Sequence, residues 1–286
     1  MVPFVRLSAE DLTPEHDDCF MDVGIVGTLE ELAWGDPIIL KGPKGTGKTL
    51  AIEEFCATVG SPRVRITCHS ETPISDLIGT YNISGGDSFL SGGAFTTAVD
   101  VANEYGACVL IVEEINALPP EMHTSLFSLC DFRRSVEVPK MGRLFKVNKG
   151  VNFWVVGTMN PGYGGTYHLN EALQSRFNFA EVSYMDEADE KRLLEQSFST
   201  PVHVTERRVI DALMTISGES RSGEWDYALS LRDLVYLIRV YEKLGKERML
   251  KILEAKFDVD HRDAIRKRIQ SVFNVNLAKV DLWKRS

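Results

Sequence analysis

The sequence predicts an α/β fold: a five-stranded, mostly parallel sheet flanked by helices, followed by a small α-helical domain. Three observations support this prediction. A glycine-rich loop stands between an apolar run and a helical run at residues 37–55. Apolar, β-branched runs then alternate with helical patterns as far as residue 185, which is typical of a parallel sheet covered on both faces. After Met185, only helical spacing of apolar residues continues.

Five runs rich in apolar and β-branched residues are predicted as the strands of this sheet. They are Ile38–Lys41, Val64–Thr67, Cys108–Glu113, Phe153–Thr158 and Ala180–Ser183. Apolar residues at helical spacing predict helices between the strands, at Leu50–Val59, Thr96–Glu104, Pro120–Asp131 and Asn170–Phe177. In such a sheet, ligands bind outside the carboxyl ends of the strands.

The change of pattern predicts two domains, residues 1–185 with the sheet and residues 186–286 with the helices and a C-terminal tail. Helices are predicted in the second domain at Asp186–Phe198, Thr205–Ser217, Leu229–Lys243 and Lys246–Lys256.

Two stretches of the first domain have the composition of insertions. Tyr81–Gly93 contains four glycines and is predicted to be an exposed hairpin or loop. Arg134–Lys149 has apolar residues on both sides of a Gly-containing turn and is predicted to be a hairpin.

The composition restricts the function. With a net charge of −9, a protein that grips nucleic acid over its whole surface is disfavoured, because phosphate binding needs a basic face. The five cysteines form no C-x-x-C pair, which favours buried reduced thiols over a disulfide framework or a zinc site. No apolar run approaches the roughly 18 residues of a membrane span. We therefore expect a cytoplasmic protein without membrane contact.

Residues Gly42 to Thr49 match the spacing G-x-x-x-x-G-K-[ST]. Glycines let backbone N–H groups turn inward around a polyphosphate, and the helix that begins near Lys48 directs its positive end at the same charge. Lys48 is expected to contact the β- and γ-phosphates, and the Thr49 hydroxyl to bind Mg²⁺. The sequence thus predicts a nucleoside triphosphate site formed by Gly42, Pro43, Lys44, Gly45, Thr46, Gly47, Lys48, Thr49 and Leu50.

Polar side chains end the third and fourth predicted strands. Glu113 is expected to reach the Mg²⁺ ion through water, and Glu114 to polarise the water that attacks the γ-phosphate. Asn160 follows the next strand, where its amide could hydrogen-bond this water or the γ-phosphate. The dipeptide Asn160-Pro161 alone is equally consistent with a turn, but its place in the series favours function.

Arg176 ends the helix predicted at Asn170–Phe177. An arginine near the γ-phosphate neutralises charge that develops in the transition state. From this part of the fold the side chain would point away from its own site, so it would serve a neighbouring subunit. Sequence spacing alone favours a surface salt bridge instead.

In this order the motifs resemble those of the AAA+ ATPases, and more narrowly the CbbQ/NorQ group of the MoxR type. The resemblance extends over about residues 20–240 and is carried by Lys41–Thr49, Ser75–Gly79, Glu113–Glu114, Asp131–Arg134, 157–163 and Leu169–Phe177. It implies a P-loop α/β ATPase domain with a helical lid, assembled as a hexameric ring whose pore the two insertions face. It also implies ATP and Mg²⁺ as ligands; the choice of ATP over GTP rests on the resemblance alone.

The resemblance assigns roles by motif match. Lys48 and Thr49 correspond to the phosphate and Mg²⁺ residues, Glu113 and Glu114 to the Walker B pair, Asn160 to sensor 1, Arg176 to the arginine finger and Arg232 to sensor 2. The chain departs from the pattern twice, with Glu113 where Asp is common and Leu231 where Pro usually precedes the sensor arginine. On spacing alone, Arg232 would be a surface charge.

Three functions are compatible with these residues. The first is a ring-forming, Mg²⁺-dependent ATPase that remodels or activates a client protein, with a separate von Willebrand-type adaptor as the family's partner. The second is a nucleic-acid-dependent motor, such as a helicase, a translocase or a viral or mobile-element factor. The basic residues of the hairpin at 134–149 support this alternative, because basic clusters attract phosphate backbones. The third, a nucleotide-gated scaffold with little turnover, is disfavoured by Glu114.

Overall fold

The structure is a computed structural model that describes residues 12–16, 24–32, 35–84, 87–139, 142–162, 165–223, 225–258 and 262–274, with residues 32, 81–84, 87–90 and 262 described by their backbone only. The chain forms two compact units, Met1–Ser183 and Tyr184–Ser286.

The elements of the first unit alternate between strands and helices. In chain order they are α1 (Ile25–Leu32), β1 (Ile38–Lys41), α2 (Lys48–Thr58), β2 (Arg63–Thr67), α3 (Ile74–Ile78), β3 (Thr80–Ser84), β4 (Asp87–Ser91), α4 (Ala94–Tyr105), β5 (Ala107–Glu113), two 3₁₀ turns (Ile115–Ala117 and Pro120–His123), α5 (Thr124–Phe127), β6 (Ser135–Val138), β7 (Arg143–Lys146), β8 (Asn152–Met159), α6 (Glu171–Gln174) and β9 (Asn178–Glu181).

Five of these strands form a parallel sheet in the order β2-β5-β8-β1-β9, which confirms the predicted fold class. β1 lies between β8 and β9, with Leu40 opposite Thr158 and Ala180. Because the strands run in the same direction, β1, β5 and β8 end at one edge. The glycine-rich phosphate loop (residues 42–49), Glu114 and Asn160 follow these ends directly, and Glu113 is the last residue of β5.

The central strands β5, β8 and β1 are buried on both faces of the sheet, which explains why they are nearly continuous apolar runs, whereas the edge strands β2 and β9 are only partly buried. Alternate residues of β5 face opposite sides: Leu110 and Val112 belong to the cluster that includes residues of α4. Val109 and Ile111 belong to the cluster that includes residues of α1 and α2. Cys56, Cys68, Cys108 and Cys130 are free and buried.

Three predicted elements are corrected. The helix predicted at Pro120–Asp131 is a 3₁₀ turn and the single turn α5, because Thr124 and Ser125 hydroxyls take the carbonyls of Glu121 and Met122 that a continuous helix would use. The helix predicted at Asn170–Phe177 is only α6, which Asn170 caps through Ala172 N–H at 2.8 Å. Arg176 therefore lies in a turn.

The last strand also begins earlier than predicted. β9 spans Asn178–Glu181 instead of Ala180–Ser183, because its pairing with β1 starts at Ile38 opposite Asn178. Beyond the strand, the Val182 N–H still donates to the Lys41 carbonyl at 2.7 Å.

The two insertions contain antiparallel hairpins. β3 pairs with β4, and β6 pairs with β7, so the hairpin predicted at Arg134–Lys149 is present and the first insertion is a hairpin rather than an open loop. The turn residues 85–86 and 140–141 lie outside the described part of the chain.

The second unit contains helices α7 (Glu187–Gln196), α8 (Val204–Arg221), α9 (Leu231–Glu254) and α10 (Arg262–Phe273) around one apolar cluster. The helices predicted at Leu229–Lys243 and Lys246–Lys256 correspond to the two parts of α9, which are separated by a kink at Gly245, where the backbone is not helical (φ 80°, ψ 173°). In the part of the chain that the structure describes, none of the helices combines the length and apolarity that a membrane crossing requires.

Candidate functional site

The phosphate loop connects β1 to α2 and depends on its glycines. Gly45 and Gly47 have φ of 75° and 83°, a left-handed conformation that side chains disfavour. At Gly42 the reason is space: a Cβ there would lie 2.0 Å from the Val182 carbonyl oxygen beyond β9. The loop therefore fits tightly between the ends of β1 and β9, and it leads into the N-terminal turn of an 11-residue helix.

Lys48 is the buried cation of this loop, with 6% of the residue exposed. Its ammonium group donates to the carbonyls of Gly42 at 2.9 Å and Pro43 at 2.6 Å. Burial lowers the pKa of Lys48 to about 8, and the negative charge of Glu114 opposes this shift. A buried ammonium group gains from a nearby anion, so the site favours a negatively charged ligand.

Three oxygen-bearing side chains converge where α2 begins and β2 and β5 end. The Thr49 hydroxyl donates to Glu113 Oε1 at 2.8 Å, and the Thr67 hydroxyl donates to Glu113 Oε2 at 2.6 Å. Hydroxyl and carboxylate oxygens are ligands that Mg²⁺ accepts, typically with phosphate oxygens and water completing its shell. The pairing of Thr49 with Glu113 therefore fits a magnesium site.

Thr67 was missed by sequence reasoning, which treated β2 only as a strand. The sequence feature that could have identified Thr67 as a site residue is its place at the carboxyl end of a strand in a phosphate-binding sheet. Its partner could not be identified from the sequence, because the contact depends on β2 pairing with β5, where Thr67 lies opposite Glu113.

Glu114 and Asn160 also meet at this edge of the sheet. The Asn160 amide donates to Glu114 Oε1, and Asn160 Oδ1 has no hydrogen-bond partner among the described residues. The pKa of Glu114 is raised chiefly by burial, while Lys48 lowers it and Glu113 raises it further. A half-buried carboxylate beside an amide oxygen that can accept a hydrogen bond is suited to hold a water molecule and remove its proton.

Arg176 lies apart from these groups, in the turn after α6. Its Nε is 3.6 Å from Asp131 Oδ2, its guanidinium lies 4.7 Å from the centre of the Phe127 ring, and it donates to the Ala172 carbonyl. Arg133 also binds Asp131, with Nη2 at 2.6 Å. These contacts are the salt bridge that spacing alone favoured, and they keep the Arg176 guanidinium with residues outside the phosphate loop.

Arg232 belongs to the second unit and is exposed as the second residue of α9. That helix begins with a capping box in which Ser230 and Asp233 bind each other's backbone N–H groups. Asp233 is buried and also accepts from Lys256 at 2.6 Å. The start of α9, and hence the place of Arg232 within its unit, is well fixed.

Two cations of the hairpin at 134–149, Arg134 and Arg143, have partners within the protein. Arg134 donates to the Gly35 carbonyl at 2.9 Å, and Arg143 lies 5.3 Å from the centre of the Phe145 ring. Lys146 is exposed, while Lys140 lies outside the described residues.

One protein-family model and several known proteins match parts of this chain. The family model of the AAA domain (dynein-related subfamily) matches residues 37–177. An uncharacterized Staphylococcus aureus protein is 30% identical over 217 residues, covering 75% of this chain and 81% of that protein. A Staphylococcus haemolyticus protein is 29% identical over 241 residues (82% and 90%), and Bacillus subtilis YojN is 29% identical over 188 (66% and 60%). The crystal structure of a candidate ATPase from Cytophaga hutchinsonii aligns with 18% identity over 89% of each chain and a TM-score of 0.47.

Proposed function

This chain belongs to the AAA proteins, with a domain of the dynein-related subfamily, and is an ATP hydrolase; from this premise we propose that it is a Mg²⁺-dependent ring ATPase that remodels a client protein. The observation that carries the Mg²⁺-dependent hydrolysis in this proposal is the convergence of Lys48, the Thr49–Glu113 pair and the Glu114–Asn160 pair at one sheet edge.

Each of these groups has a separate task in hydrolysis. Lys48 exchanges its loop carbonyls for phosphate oxygens and neutralises their charge. Thr49 and Glu113 would hold Mg²⁺, which supplies further charge neutralisation at the phosphates. Asn160 orients the attacking water, and Glu114 takes its proton as the water oxygen bonds to the γ-phosphorus. The bond from the γ-phosphorus to the β–γ bridging oxygen breaks in the same displacement, and the products are ADP and inorganic phosphate.

Arg176 is proposed to act on the nucleotide of a neighbouring subunit. In the described chain its guanidinium is held by Asp131 and Phe127, which fixes its direction while part of it stays exposed. An arginine supplied in trans is worth about 10³–10⁵-fold in turnover in related phosphoryl transfers. Such a contribution requires assembly, and we propose a hexameric ring with Arg232 of the lid as a further contact to the nucleotide.

The ring is tested by sedimentation of the Glu114→Gln variant, which should bind ATP without hydrolysing it. A hexamer that forms with ATP would support the proposal, and a monomer at micromolar concentrations with saturating ATP would contradict it. The test needs only the purified protein and ATP, because it measures self-assembly.

Remodelling of a protein is proposed on the resemblance to MoxR-type ATPases, with a client or a von Willebrand-type adaptor as the partner. The hydrogen bond from Arg134 to the Gly35 carbonyl supports protein remodelling over nucleic-acid binding, because this guanidinium is already bound within its own chain. The alternative is a nucleic-acid-dependent motor, favoured by the exposed Lys146 and Arg143 on β7. ATP turnover with and without single-stranded DNA, double-stranded DNA or RNA separates the two, since strong stimulation by any of these would overturn protein remodelling.

A further inference from the structure

The backbone of Glu114 has an unusual conformation for its residue type. Its φ and ψ are 53° and 44°, in the left-handed region that non-glycine residues rarely adopt. Such a conformation persists only when the surrounding structure holds it in place. The position of the Glu114 carboxylate therefore depends on whatever contacts fix this turn.

The turn is fixed by successive contacts with the end of β8. The Glu114 N–H donates to the Thr158 hydroxyl at 3.1 Å. Ile115 packs over Gly157, where a Cβ would come within 3.6 Å of it. The Asn116 amide then donates to the Asn160 carbonyl at 3.0 Å. The turn thus lies along β8, and the side chains of Glu114 and Asn160 meet as a result.

Among these contacts with β8, the hydroxyl of Thr158 is the side-chain group that binds Glu114 directly. It is buried, with 3% of the residue exposed, and it lies in the middle of the sheet, opposite Leu40 of β1. Its position is therefore rigid, and its hydroxyl is a fixed acceptor for a backbone donor that the left-handed turn leaves outside the β5 ladder. Without this acceptor, the half-buried N–H would be unpaired and the left-handed conformation would lose its support.

We propose that Thr158 is a positioning residue for hydrolysis: its hydroxyl holds the Glu114 backbone so that the carboxylate faces Asn160 and the attacking water. This inference rests on the proposed role of Glu114 as the general base. Thr158 acts through Glu114, so its loss should lower turnover and leave nucleotide affinity unchanged.

The test compares Thr158→Val with Thr158→Ser. Valine keeps the β-branched shape and removes the acceptor, whereas serine keeps the hydroxyl. We expect kcat of the valine variant to fall about ten-fold or more, which is a part of the roughly 10²–10⁴-fold that a general base supplies. KM and the Kd of a non-hydrolysable ATP analogue should stay within about two-fold of the wild-type values. The serine variant should keep most of the wild-type kcat. A valine variant with wild-type kcat, or a serine variant as impaired as valine, would overturn the proposal.

Two controls are needed. The first distinguishes a loss of turnover from a loss of folding stability, and the second tests the general-base role of Glu114 separately from the positioning role of Thr158. Thr96 is another fully buried threonine, whose hydroxyl accepts from the Gly93 N–H at 3.0 Å at the start of α4. Thr96→Val should lower the melting temperature while kcat per folded molecule stays unchanged. The Glu114→Gln variant is measured in parallel: if it keeps wild-type turnover, the general-base assignment fails, whereas its loss alongside an active Thr158→Val refutes only the positioning role.

Discussion

The buried Lys48 ammonium group predicts that nucleotide binding takes up a proton at alkaline pH. In the free protein, burial lowers the pKa of Lys48 to about 8, so above pH 8 the free side chain is mostly neutral. A bound triphosphate favours the charged form and raises this pKa again. Binding above pH 8 therefore requires protonation of Lys48, and the affinity should fall as the pH rises.

The size of the effect follows from this pKa. If the pKa of Lys48 in the complex lies well above 9.5, proton linkage should raise the Kd about 25-fold between pH 7.5 and pH 9.5. At the upper end of this range the Kd should rise by nearly ten-fold per pH unit, which corresponds to about 1.4 kcal/mol. The terminal phosphate does not contribute in this range, because phosphate monoesters have a second pKa near about 6.

Calorimetric titration of a non-hydrolysable ATP analogue with Mg²⁺ measures the Kd and the number of protons that binding takes up. Repeating it at pH 9 in buffers of different ionisation enthalpy should show uptake of close to one proton, and little uptake at pH 7. In Lys48→Arg the guanidinium stays charged throughout, so any remaining binding should be independent of pH. Lys41→Arg, at an exposed lysine that pairs with Glu181, should keep the wild-type slope. A wild-type Kd that is constant from pH 7.5 to 9.5, without proton uptake, would refute the reasoning.

Three other predictions concern separate parts of the chain. Gly42→Ala should weaken nucleotide binding and destabilise the protein by about 1–3 kcal/mol, because its Cβ meets the Val182 carbonyl; Gly27→Ala, where the added Cβ meets nothing within 4 Å, is the neutral control in urea unfolding. Arg176→Ala should lose turnover and keep binding, and mixing it with Glu114→Gln should partly restore phosphate release; no restoration would count against a finger shared between subunits. Glu190→Ala should destabilise the second unit by about 3–5 kcal/mol, because it leaves the mostly buried Arg221 guanidinium without its bidentate carboxylate partner; an unchanged unfolding midpoint would contradict this.

The sequence predicted those parts of the site that depend on local chemistry. The glycine spacing of residues 42–49 requires a loop before a helix, and an apolar run that ends in Glu113 and Glu114 places carboxylates at a sheet edge. The order of strands then brought Asn160 beside them. These inferences succeed because the carboxyl ends of parallel strands lie at the same edge of a sheet.

Other contacts depend on tertiary structure and could not be predicted. The bond from Thr67 to Glu113 requires the register of β2 against β5. The left-handed backbone of Glu114 results from docking of the turn on β8, since glutamate itself disfavours this conformation. The helix expected at Pro120–Asp131 failed for a related reason, because side-chain hydroxyls compete for its carbonyls.

The central claim is that the loop at 42–49 binds the triphosphate through the Lys48 ammonium group. It is tested most directly by titrating ATP with Mg²⁺ into the wild-type protein and into Lys48→Ala at pH 7.5, with the fold of both checked by circular dichroism. We predict saturable binding to the wild type and a loss of at least ten-fold in affinity in the variant, as expected when a charged contact worth about 1.5–3 kcal/mol is removed. Equal affinities, or no heat of binding in the wild type with either adenine or guanine nucleotides, would contradict the account.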